Sequence, residues 1–129
     1  MTIFTKIINR EIPAYIIAED ENNIAFLDIQ PLGQGHTLCV PKKEVDKLFD
    51  LPLEDYQNLM QFSYNVAQAL EKAIPCKRVG VAVLGLEVPH AHVHLVPLQS
   101  EGMLNFSNPK LQLSSEQFVE IQEKITQFL

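Results

Sequence analysis

The sequence predicts an α+β domain, a mainly antiparallel sheet of about five strands with one long central helix and a shorter helix at each end. Three observations carry this. Five short β-rich runs are bounded by proline, glycine and polar residues. One long stretch, residues 52–74, places apolar side chains at helical spacing. Helices sit between and after the strands, which suits an α+β layering. The 129 residues fit one domain, and no repeat, low-complexity tract or Gly/Ser linker divides them, so residues 1–129 are read as a single unit.

In order along the chain, Thr2 is placed to cap a short helix over residues 3–9, where Ile3, Phe4, Ile7 and Ile8 have helical spacing, and Pro13 ends the segment. Residues 15–18 and 24–28 are two strands of a hairpin joined by the polar turn 19–23. Residues 31–35 are a loop, and residues 36–40 a third strand that Pro41 should terminate. A short helix is expected over 44–49. The long helix follows, with proline suited to its first turn and Pro75 stopping it. Tyr56, Leu59, Met60, Ser63, Ala67, Leu70 and Ile74 share one face, and Phe62, Val66, Ala69 and Ala73 widen it, as a thick core or a subunit contact would require. Strands are expected over 79–84 and 90–96, and an irregular loop over 102–113. Ser114 with Gln117 forms a capping box for a last helix whose Phe118, Ile121, Ile125 and Phe128 face one way.

Composition narrows the function. Hydrophobic residues make up 47% and charged residues 20%, the proportions of a globular chain. No apolar run approaches the roughly 20 residues of a membrane-spanning helix. The opening MTIFTKIINREIPA mixes charges among its apolar residues, unlike a secretory signal. Cys39 and Cys76 form no CxxC pair and read as reduced residues of a cytoplasmic protein. Ten Lys+Arg against sixteen Asp+Glu give a formal charge of −6, with no basic stripe for a nucleic-acid polymer. A small anion remains acceptable, because a local site can override the total.

The chemistry concentrates in PHAHVHLVP, where His90, His92 and His94 alternate strictly between Pro89 and Pro97. Alternation on a strand sends these three to one face and Ala91, Val93 and Leu95 to the other. Three readings compete. Structural histidines satisfied by hydrogen bonds are the first. A metal site is the second: the outer two of three alternate residues stand about 13 Å apart, so one zinc ion with ligands at about 2.0–2.1 Å cannot take all three. Two neighbours with His36 as a third ligand would suffice. The third, which the geometry favours, is nucleophilic attack by the middle imidazole while its neighbours bind and polarise an anion.

PHAHVHLVP resembles the histidine-triad motif, His-x-His-x-His followed by two apolar residues, of the HIT family of nucleotide hydrolases and transferases. TIFTKIINREIPA, AFLDIQP and GQGHTLCVPKK resemble, in the same order, the family's opening segment, its second strand and loop, and its third strand. The resemblance spans nearly the whole chain and lies nearest the purine nucleoside phosphoramidase branch. It implies a HIT-like α+β fold and a homodimer whose two sheets join. It also implies cleavage at the α-phosphate of a purine nucleotide derivative, a phosphoramidate or dinucleotide, through a covalent nucleotidyl intermediate on His92. His90 and His94 would then contact or orient the phosphate and the nucleophile, and His36 matches an additional active-site histidine. Asp28 matches the acidic residue that holds the ribose hydroxyls, and Ile3, Phe4, Ile7, Phe26 and Ile29 match the apolar wall around the base. No cofactor or metal is expected to be required, although zinc would collect on such histidines adventitiously.

One departure matters. The family commonly carries Gly-Gln-Ser/Thr before the triad, where this chain has Gly85–Leu86–Glu87. Leu86 donates no hydrogen bond. Glu87 is expected either to act as a general acid for the leaving group or to turn outward. Specificity for phosphoramidates is therefore open, and a nucleotide-binding regulatory protein with weak or no turnover is the alternative function. A metal-dependent hydrolase comes third. The stretch 99–113 is expected to help set leaving-group access.

Overall fold

The computed structural model describes residues 1–129. Thr2 caps α1 (Ile3–Ile8) by accepting the N–H of Thr5 on its hydroxyl at 3.2 Å. β1 (Ile16–Glu19) and β2 (Asn23–Leu27) form the expected hairpin, and one Asp20 carboxylate oxygen closes its turn by accepting the N–H groups of Asn22 and Asn23. β3 (Thr37–Pro41), α2 (Leu53–Ala73), β4 (Arg78–Ala82), β5 (Val93–Leu98) and α3 (Ser115–Thr126) complete the order. The sheet is β1-β2-β3-β5-β4, with every neighbouring pair antiparallel.

Alternation along the central strands divides the sheet into two faces. Ala25, Leu27, Cys39, Val93 and Leu95 turn toward α2 and α3 and join Leu59, Phe62, Val66, Phe118 and Ile125 in the larger core. Ile24, Phe26, Leu38 and Val40 turn the other way and pack against Phe4 and Ile7 of α1. Phe62, Val66 and Ala69, which widen the apolar face of α2, are all buried in the larger core, so core packing accounts for them. α3 carries the full capping box: the Ser114 hydroxyl accepts the Gln117 N–H at 3.2 Å, and the Gln117 side chain accepts the Ser114 N–H at 2.8 Å. No helix is long and apolar enough to cross a membrane.

Four expectations need correction. Residues 44–49 do not form a helix; only a 3₁₀ turn, Leu48–Asp50, coils there. Their polar groups are drawn elsewhere, the Glu44 carboxylate to Thr2 and Thr5 and the Val45 carbonyl to the Ala91 N–H at 2.7 Å. Pro41 does not lie beyond β3 but is its last paired residue, opposite Asn23. β4 stops at Ala82, two residues short of the expected end, before the chain turns at Gly85 with φ +74°. β5 begins at Val93 rather than His90, because its partners run out: Cys39 pairs Val93 on one side and Ala82 pairs His94 on the other. The last correction bears directly on the histidines.

Candidate active site

The α1 face of the sheet, where apolar packing stops short of the strand ends, holds the candidate site. His94 stands opposite Leu38 in the β3–β5 register, and His36 lies two residues before Leu38, on the same face. Asp28 continues the Ile24–Phe26 alternation just past β2, where its N–H bonds the His36 carbonyl at 2.9 Å. A cavity of about 530 Å³ opens beside them, lined also by Ile3, Phe4, Ile29, Leu38, Glu87, His92, Phe106 and Lys110. That volume falls within the about 300–1,000 Å³ range of small-molecule sites.

Hydrogen-bond partners assign the proton on every imidazole. The His36 Nδ1 accepts the Leu32 N–H at 3.0 Å, so its proton sits on Nε2 and is donated to the His94 Nδ1, also at 3.0 Å. His94 must therefore carry its own proton on Nε2. The His92 Nδ1 lies 2.7 Å from the His90 carbonyl oxygen, which can only accept, so Nδ1 holds the proton and Nε2 is a bare lone pair. The His90 Nε2 donates to the Pro41 carbonyl at 2.8 Å, and its Nδ1 accepts from the Thr2 hydroxyl at 2.8 Å. No buried side-chain nitrogen or oxygen lacks a partner. The Nε2 atoms of His92 and His94 have none within the protein, so both face open space.

These rings are neutral. Burial holds His94 down to about 3 and His36 to about 4; next to it, the neighbouring imidazoles disfavour a second proton on His94, and the Lys110 ammonium disfavours one on His36. Burial also lowers His92 and His90, partly opposed by their hydrogen bonds to the carbonyls of His90 and Pro41. Burial raises the Asp28 carboxyl, against the Gln30 N–H that one of its oxygens accepts at 2.9 Å. His36 being neutral, its 3.6 Å approach to Asp28 is not an ion pair. Asp28, His36 and His94 each bring a ligand atom within 4.8 Å of the others, a spacing that adventitious zinc would accept.

Not every expected site residue lies where alternation puts it. The expected row of three imidazoles opening together is two: His92 and His94 line the cavity, while His90 is wholly buried beneath, short of the strand. Its carbonyl, not its ring, meets His92. His36 joins the row instead. Ile3, Phe4 and Ile29 line the cavity as the expected apolar wall, whereas Ile7 and Phe26 pack behind it in the smaller core. Phe26 meets Phe4 edge-on at 5.5 Å, and Phe4 meets His92 edge-on at 5.0 Å. Glu87 is exposed on the cavity rim and Leu86 beside it is 90% exposed. Sequence reading missed Phe106, whose ring lies 4.7 Å from His94, and Lys110. Both sit in an irregular loop with no periodicity to flag them.

In chemical terms, the arrangement offers one unprotonated nitrogen, on His92, beside one N–H donor, on His94, above a floor of neutral rings. A nucleophile next to a hydrogen-bond donor is the pairing that displacement at a phosphoryl or acyl centre needs.

Comparison with known proteins bears on this geometry. Residues 9–101 match the family model described as HIT domain. The chain is 40% identical over 101 residues to an uncharacterized HIT-like protein of Methanocaldococcus jannaschii, covering 75% of this chain and 78% of that protein. It is 30% identical over 127 residues to an adenosine 5'-monophosphoramidase of Schizosaccharomyces pombe, covering 96% and 95%. The crystal structure of a Hit-like protein involved in cell-cycle regulation from Bartonella henselae superposes with a TM-score of 0.87 at 33% identity, covering 99% of this chain and 96% of that one.

Proposed function

The chain belongs to the HIT domain family, and on that premise we propose that it is a nucleotide hydrolase cleaving at the α-phosphate of a purine nucleotide derivative, with residues 1–129 working as one HIT domain. The carrying observation is the bare Nε2 of His92, fixed by the 2.7 Å hydrogen bond from its Nδ1 to the His90 carbonyl. That lone pair attacks phosphorus in line and displaces the leaving group, giving a nucleotidyl-His92 intermediate. Water then displaces His92 and releases the nucleoside monophosphate. As the imidazole gains positive charge, the His90 carbonyl stabilises its remaining N–H. The Nε2–H of His94, aligned by His36, donates to a phosphoryl oxygen. Asp28 holds the ribose hydroxyls, and Ile3, Phe4 and Ile29 flank the base. Glu87, exposed at the rim, is reserved for protonating a basic leaving group.

A homodimer is part of the proposal. β4 is an edge strand, and its Val81 is 53% exposed, so a second sheet has an apolar edge to meet. Two unpaired cysteines support a cytoplasmic site of action. No metal is needed for the proposed steps, so turnover should survive a chelator.

The test is intact-protein mass spectrometry after rapid quenching with an adenosine phosphoramidate. A nucleotidyl adduct that is present in the wild type and missing from His92→Ala supports the reading. Absence of both adduct and turnover in the folded wild-type protein would refute it. It would favour the regulatory, nucleotide-binding alternative, which the loss of a donor at Leu86 makes specific.

A further inference from the structure

Lys110 carries the only positive charge among the side chains that line the cavity, where the carboxylates are those of Asp28 and Glu87. With all four histidines neutral, an anion entering this hollow meets no other cation. Lys110 is also built into place. Its Nζ donates to the carbonyls of Phe106 at 2.6 Å and Asn108 at 3.0 Å, which leaves one N–H unspent. The surrounding loop is tied at several points. The Leu111 N–H bonds the Pro31 carbonyl at 2.9 Å, the Asn108 side chain donates to the Gly102 carbonyl at 2.8 Å, and Asn105 accepts the Ser107 N–H at 2.9 Å.

Position along the floor says what the charge is for. The aromatic rings run Phe4, His92, His94, Phe106, with neighbouring centroids 5.0, 4.8 and 4.7 Å apart. A phosphate held at the His92 and His94 nitrogens occupies the middle of that row. Phe106 is one ring further on, and the Lys110 ammonium is anchored on its carbonyl. This part of the wall lies beyond residues 9–101, where the family model matches.

Resting on the function proposed above, we infer that Lys110 forms a subsite for the oxyanion of a second phosphate, so that the favoured substrates are nucleotides whose α-phosphate is joined to another phosphate. The chemistry agrees. As the bond from His92 Nε2 to the α-phosphorus forms, the bond from phosphorus to the bridging oxygen breaks and its electron pair leaves on the second phosphate. A phosphate departs as a stable anion and needs no proton, whereas an amine does. Of the cavity wall at residues 84–87, Leu84 and Leu86 supply no donor, which leaves Glu87 alone to protonate an amine. Water completes the cycle, so the sum is substrate plus water giving a nucleoside monophosphate and the second phosphate-bearing fragment.

Two measurements on the full chain test this. The first is binding, by calorimetry, of the non-hydrolysable α,β-methylene analogue of adenosine diphosphate against adenosine monophosphate. Wild type should prefer the diphosphate by about 10- to 100-fold, the range for one charge-assisted hydrogen bond. Lys110→Gln should abolish that preference and Lys110→Arg should keep most of it. The second is the ratio of kcat/KM for a dinucleoside polyphosphate over an adenosine phosphoramidate, expected to fall at least about tenfold in Lys110→Gln, mainly through KM. Equal loss on both substrates, or a diphosphate preference that persists in Lys110→Gln, would overturn the subsite and leave Lys110 as a loop anchor. If no nucleotide is turned over, the binding arm still decides on Lys110, while the hydrolase reading alone fails.

Discussion

Replacing Thr2 by valine removes one hydroxyl that serves two partners. That oxygen caps α1 through the Thr5 N–H and donates its proton to the Nδ1 of His90, a ring with no exposed surface. Loss of an N-cap costs about 0.5–2 kcal/mol, and stranding a buried acceptor costs about 1–3 kcal/mol. His90 cannot escape by shifting its proton to Nδ1, because the Pro41 carbonyl, 2.8 Å from Nε2, would then face a lone pair. Thr2→Val should therefore destabilise the fold by about 2–4 kcal/mol, a large share of the about 5–15 kcal/mol typical of a domain. Thr2→Ser keeps the hydroxyl and should lose little. Urea unfolding at neutral pH reads the difference directly. The same substitution should lower kcat more than it raises KM, since the His90 carbonyl is the only group holding His92 in its reactive tautomer. A Thr2→Val protein within about 0.5 kcal/mol of wild type, below the cost of either lost bond, would refute the two roles given to the Thr2 hydroxyl.

Acid should unfold the protein through its histidines. The folded values of about 4 for His36 and about 3 for His94 lie below the roughly 6.5 of an unfolded chain, so between those limits the unfolded state binds the extra protons. Stability is then full above about pH 6.5 and falls as pH drops, by up to about 1.4 kcal/mol per unit for each ring; urea midpoints that stay flat from pH 7 to 4.5 would contradict this. The raised Asp28 works in the opposite direction and softens the acid end of that slope. Gly35→Ala should destabilise by about 1–3 kcal/mol in the same assay. Its φ is +84°, and an added Cβ would stand 2.9 Å from the Ile74 side chain, in the turn that aims His36.

What the sequence made legible follows the range of the interactions involved. α2 and α3 could be read because their signals are local: apolar spacing within a helix, and Ser114 three residues from Gln117. The expected helix over 44–49 failed because Glu44 and Val45 spend their polar groups on Thr2, Thr5 and Ala91, which local spacing does not reveal. The triad was legible as a motif, and alternation correctly put His94 on the cavity face. It failed at His90 because β5 had not yet begun there, and the ring is held by Thr2 and Pro41, 88 and 49 residues away in sequence. Phe106 and Lys110 were out of reach for the same reason, since only the Leu111–Pro31 bond and the loop's internal ties bring them over His94.

The proposed chemistry depends on where four protons sit. Long-range ¹H–¹⁵N correlation spectra of the histidine side chains at neutral pH observe this without substrate or substitution. The prediction is a neutral His92 protonated on Nδ1, with His36, His90 and His94 neutral and protonated on Nε2. A His92 found protonated on Nε2, or carrying both protons, would have no lone pair to offer the cavity and would contradict the mechanism at its first step.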